Sequence, residues 1–154
     1  MRNPNDDDVP ELQALALVAV IEALPAGPTR SWFSAGVAAW LAGSPLEIAL
    51  GLAGGQGKRS ARFLYLQYLR DDALRHAHAL MAGSSPWAKT LELAHEVEQF
   101  RGRIWPRWRN LAAPPEGASE LRAALWRAFR AGPTPSSASR LHEICSCESP
   151  LFIG

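Results

Sequence analysis

The stretch GLAGGQGKRSAR, residues 51 to 62, runs from glycines into Gly57-Lys58 and a serine. A phosphate loop of the G-x-x-x-x-G-K-[ST] kind wraps phosphates in backbone amides, reaches the outer ones with its lysine and holds magnesium on the hydroxyl that follows. Here the earlier glycine stands at 51, one residue too far, and Arg59 takes the hydroxyl position. The preceding SPLEIALGL also carries helix signals where such a loop needs a strand. What remains is Lys58, Arg59, Ser60 and Arg62 at the start of a helix. Positive charge there opposes the helix dipole by about 0.3–1 kcal/mol per charge, and a bound anion relieves it.

RGRIWPRWRN, residues 101 to 110, interleaves Arg101, Arg103, Arg107 and Arg109 with Trp105 and Trp108. Arginines among aromatics grip the backbone and stack the bases of a single strand. The same residues stack arginine on tryptophan inside a protein, and both types are enriched at protein interfaces. Trp105 and Trp108 are therefore interface candidates, and the four arginines are candidates for nucleic-acid contact.

Other constellations fall short of a chemistry. His142, Cys145 and Cys147 give H-x-x-C-x-C, one ligand fewer than a structural zinc site needs. HEVEQ at His95 begins like a zinc-protease motif but has Gln99 where the second histidine must stand. His76 and His78 are two apart and fall on different helix faces, and Asp71 and Asp72 are adjacent rather than facing. Asp71 pairs by default with Arg75, four residues on. No nucleophile, base and orienting group can be assembled, so the expectation is a non-enzyme without catalytic residues, metal or cofactor.

The elements that must position these residues read as all-α, a bundle of about six to seven helices. No period-2 run of β-branched residues and no hairpin turn is present. Helices are expected at 10–24, at 31–42 with Gly43 as its stop, and at 45–52 behind a capping box formed by Ser44 and Glu47. A long helix follows at about 60–81, with a core stripe of Leu66, Leu69, Ala73, Ala77 and Leu80. Ser85 caps the next, which Pro106 interrupts; Ser119 caps another, and a short one spans about 137–144. Residues 1–9 read as a flexible acidic tail, 10–145 as one helical domain and 146–154 as a flexible C-terminal tail.

The formal net charge of +1 conceals a polarity along the chain. Residues 1–57 carry two arginines against six acids, whereas residues 58–140 carry fourteen Lys/Arg against seven acids. That asymmetry points to an anionic partner. The acidic start has no signal-peptide pattern, Leu12 to Leu24 is too short an apolar run for a bilayer span, and two cysteines make no disulfide framework. A cytoplasmic protein of bacterial type, without membrane contact, is expected.

The segment LEIALGL followed by RSARFLYLQYLR is similar to a helix-turn-helix: a short helix, a turn, then a helix whose first turn carries Arg59, Ser60 and Arg62. The turn, AGGQGK, is several residues longer than the usual three or four. The resemblance implies contacts from that first turn to DNA bases and phosphates. The functional expectation is an accessory or regulatory protein that binds DNA or RNA. Its alternative is a protein-interaction module, an adaptor, inhibitor or structural subunit, with a homodimer among its arrangements.

Overall fold

The computed structural model describes residues 9–147, with side chains from residue 15 onward; the rest of both expected tails lies outside the described residues. Every element among the described residues is helical. In chain order they are α1 (Val9–Ala23), α2 (Pro28–Leu41), α3 (Leu46–Ala49), α4 (Ala61–Ala79), α5 (Pro86–Gln99), a π-helical segment (Phe100–Ile104), α6 (Trp105–Trp108), α7 (Glu120–Ala131) and α8 (Ala138–Ser146). Because α5, the π segment and α6 run on without a break, the described residues make seven helices, in keeping with the all-α expectation. The residues cluster into two compact units, one ending at Arg62 and one beginning at Phe63.

In the first unit, α2 opens with Pro28 where no N–H is needed and closes at Gly43, whose φ of 105° suits only glycine. Gly36 lets α2 approach the end of α3 closely: a Cβ there would stand 2.2 Å from Leu50 Cδ2. Trp32 Nε1 donates to Leu50 O at 3.0 Å across the same contact. The capping box expected at Ser44 and Glu47 does not form. Pro45 precedes the first helical residue, with no side chain capping it, and α3 is a single turn of four residues.

The second unit holds a hydrophobic core in which Leu74, Ala77, Leu93, Val97, Ala124, Ala128 and Leu141 are fully buried around Phe100. On α4 the buried stripe is Ala73, Leu74 and Ala77, continued by Met81, while Leu69 and Leu80 are exposed. The expected stripe is thus right in period but offset. Ser85 accepts from Ala88 N and Ser119 from Arg122 N, as N-caps of α5 and α7.

Pro106 sets the course of the long helix. A proline inside a helix lacks the N–H for the preceding turn, and its ring presses on the carbonyl four residues back. Here the helix does not end. It widens, Trp105 N donating to Phe100 O five residues earlier, and resumes as α6. The extra residue brings Trp105 onto the face of Phe100, so Phe100, Trp105, Trp108 and Phe129 pack with ring centroids 5.2–6.4 Å apart. Trp126 Nε1 donates to Trp108 O at 3.2 Å, closing the cluster onto α7.

A buried polar clasp ties α4, α5 and α8. The Thr90 hydroxyl, 0% exposed, donates to Pro86 O at 2.9 Å, so it only accepts from His78 Nε2 at 3.2 Å and His142 Nδ1 at 3.4 Å. Both imidazole tautomers are thereby assigned, and His142 Nε2 is left to accept from Ser146 Oγ at 3.4 Å. Replacing Thr90 by Val keeps the shape but strands the His142 Nδ1 donor, while His78 Nε2 keeps Pro86 O at 3.2 Å; the expected loss is about 1–3 kcal/mol, read as a lower urea midpoint at unchanged slope.

Candidate anion-binding groove

Along the outer side of α5 and the π segment lies a groove of about 790 Å³, lined by His95, Glu96, Gln99, Arg103, Arg107 and, from α7, Arg122, with Phe100, Ile104 and Trp108 among its apolar wall. His95, Gln99, Arg103 and Arg107 follow one another at intervals of four residues, which on a helix keeps neighbours on adjoining positions of one side. From His95 to Arg107 the row runs about 18 Å at 1.5 Å per residue. The three guanidiniums make no hydrogen bond or ion pair among the described residues. Five N–H donors on each are thus turned to solvent beside a concave surface, an arrangement suited to phosphate or carboxylate oxygens.

The arginine-tryptophan run divides by role. Trp105 and Trp108 are half-buried against the core, so they are walls and floor, and not the free stacking platforms the sequence suggested. Arg101 turns away from the groove: Nη1 donates to Glu98 Oε1 at 2.8 Å and Ser136 Oγ at 3.1 Å, Nη2 donates to Thr134 O, and its Cζ lies 5.9 Å from the Phe129 ring centroid. It pins the loop after α7. Arg109 is exposed, and its carbonyl accepts from Arg130 Nη1 at 3.4 Å. Only Arg103 and Arg107 of the four enter the groove. Arg122, Glu96 and His95 are site residues that the sequence reading does not single out; the four-residue spacing running back from Arg107 is a signal for His95, while Glu96 and Arg122 have none.

In the other unit, the glycine loop is built by its own backbone. Gly51 and Gly57 take φ of 67° and 73°, and a Cβ on Gly54 would come within 2.7 Å of Lys58 O. The Lys58 amide is spent on Gly55 O at 2.9 Å and the Ala61 amide on Leu52 O at 3.0 Å. Lys58, Arg59 and Arg62 are exposed and Ser60 is half-buried. The loop follows the single turn of α3, and residues 50–60 separate α3 from α4. The tight turn that holds two helices at a docking angle in a helix-turn-helix is therefore not formed here.

Arg75 does not pair with Asp71. Asp71 Oδ1 accepts from Arg70 Nη2 at 2.7 Å, and Arg75 Nε donates to Ile144 O and Cys147 O, both at 3.1 Å, at the C-terminus of α8. His142 faces Thr90 while Cys145 Sγ points to Leu74 O at 3.9 Å, and no group of three metal-ligating side chains occurs among the described residues. Burial pushes the Cys145 thiol up from an ordinary 9.0 to about 11, with Arg75 opposing and Asp71 adding to the rise. Its retained proton favours the fold below pH 9.0, an advantage lost as pH climbs toward about 11. Comparison with known protein families, with curated proteins and with solved structures found no match.

Two outcomes follow from these placements. Arg101→Ala removes the ties to Thr134 and Ser136 and is expected to cost about 1–3 kcal/mol in urea unfolding, whereas Arg103→Ala leaves stability within about 0.5 kcal/mol. In the folded protein at about pH 8, iodoacetamide is expected to label the exposed Cys147 and spare Cys145 until denaturant opens α8, as read by mass spectrometry.

Proposed function

We propose that this chain is a non-catalytic nucleic-acid-binding protein of accessory or regulatory kind, acting in the cytoplasm, and that its phosphate contacts are made in the groove rather than by the glycine loop. The observation that carries the reading is the convergence of Arg103, Arg107 and Arg122 on one concave surface with no partner among the described residues. Guanidiniums in a protein surface are usually balanced locally, as Arg70, Arg101 and Arg140 are by Asp71, Glu98 and Glu143. An unbalanced set beside a groove favours an anion, and arginine's planar fork matches phosphate oxygens two at a time. The surplus of basic residues over 58–140 adds long-range attraction for a polyanion. Among the described residues no helix is long and apolar enough to cross a membrane.

A protein partner is the second reading. It is favoured by Trp87 and Leu91, four residues apart on α5 and 46% and 51% exposed, since tryptophan is enriched at interface hot spots.

The two separate in a salt series. Three phosphate contacts give a log–log slope of about −2.7 on duplex DNA, or about −2.1 on a single strand, measured by fluorescence anisotropy between about 50 and 200 mM salt. Arg103→Glu with Arg107→Glu is expected to abolish most of that binding while the circular dichroism spectrum stays unchanged. Binding that survives the double reversal places the contacts elsewhere, and no binding at the lowest salt removes the nucleic-acid reading.

A further inference from the structure

Next to the arginine groove is a second concavity of about 620 Å³, lined by Leu80, Met81, Ala82, Leu91 and Leu121 with Glu92, His95 and Glu96. His95 and Glu96 line both hollows, so the two lie side by side along α5. The recess is apolar on its walls, Leu80 and Leu91 being 39% and 51% exposed. Its volume falls in the range of about 300–1,000 Å³ usual for small-molecule recesses. Glu92 is engaged, accepting from Ala82 N at 3.2 Å, while the half-buried Glu96 carboxylate has no partner among the described residues.

We propose that the groove and the recess form one site for single-stranded nucleic acid, phosphates on Arg103, Arg107 and Arg122 and an unstacked base in the recess; the proposal rests on the nucleic-acid reading above. An apolar hollow adjoining a row of guanidiniums is of no use to a duplex, whose bases are paired and stacked out of reach of its phosphate contacts. A single strand turns its bases outward, and burying one against apolar side chains adds affinity at little cost in sequence choice. The His95 ring stands at the junction, where a base passing from groove to recess meets it. Glu96 accepts hydrogen bonds and donates none when ionised, so it favours bases bearing an exocyclic amino group, cytosine and adenine, over thymine or uracil.

The test compares, with the full chain, three single strands of equal length and charge, oligo-dC, oligo-dT and an abasic oligonucleotide, with a duplex of the same length and with oligoglutamate as a non-nucleic polyanion. The expected order is oligo-dC ahead of oligo-dT, with both about tenfold or more tighter than the abasic strand and the duplex. Leu91→Ser, at an exposed position, is expected to bring oligo-dC about three- to tenfold closer to the abasic strand without altering the salt slope. Equal binding of abasic and natural strands, or no effect of Leu91→Ser, overturns the recess while leaving the groove as a phosphate site. Absence of binding to every nucleic acid at low salt overturns the underlying reading. Oligoglutamate binding as tightly as oligo-dC overturns both and leaves an acidic protein as the occupant.

Discussion

Pro106 cannot donate a hydrogen bond to the turn behind it, and its ring occupies the space where the carbonyl of that turn would lie. A helix meeting such a residue ends, kinks or inserts an extra residue, and this one inserts: Phe100–Ile104 adopts the wider π turn and the helix continues. The insertion changes which residues face inward beyond it. Trp105, which a regular α-helix would carry off the Phe100 side, packs with Phe100 and Phe129, and Trp108 meets the Phe100 edge at 5.8 Å. The alternation of arginine and tryptophan along the sequence becomes a separation of aromatic interior from cationic exterior.

Charge placement in the second unit depends on that separation. Arg101 lies on the same stretch as Arg103 and Arg107, yet its guanidinium lies against Phe129 and bonds to Glu98, Ser136 and the Thr134 carbonyl. It serves the packing of the loop between α7 and α8. Arg103 and Arg107, turned the other way, share a groove with Arg122, which stands on α7, a separate helix further along the chain. Arg101 is paired and Arg103, two residues on, is not, and it is the unpaired Arg103 and Arg107 that line the hollow. The electrostatic character of the groove is thus a product of helix register and of the packing of α7 beside it.

The clasp at Thr90 shows the same economy of a single buried group. One hydroxyl donates once and accepts twice, and those three bonds join α4, α5 and α8. His142, read in the sequence as a prospective ligand beside Cys145, is committed to this clasp, while Cys145 turns to the carbonyl of Leu74. Side chains three apart in sequence are drawn to different helices, and the prospect of a shared metal is lost to packing.

Much of the fold is legible in the residues. The helical class, the stop at Gly43, the caps at Ser85 and Ser119 and the long helix near 60–81 rest on local chemistry: which residues lack an N–H, which tolerate positive φ, which oxygen reaches an orphan amide. Each is decided within a few residues, so one sequence suffices. The cap at Ser44 is not realised because the glycine-permitted contact of α2 with Leu50 and the short α3 take precedence over a local preference. The candidate site was legible in its residue types but not in its membership. Whether Arg103 or Arg101 faces the groove turns on one inserted residue, and whether Arg122 joins from α7 turns on how that helix packs beside α6. Those choices are settled by burial of Phe100, Trp105 and Trp108, a non-local balance of packing, and the tertiary structure alone records it.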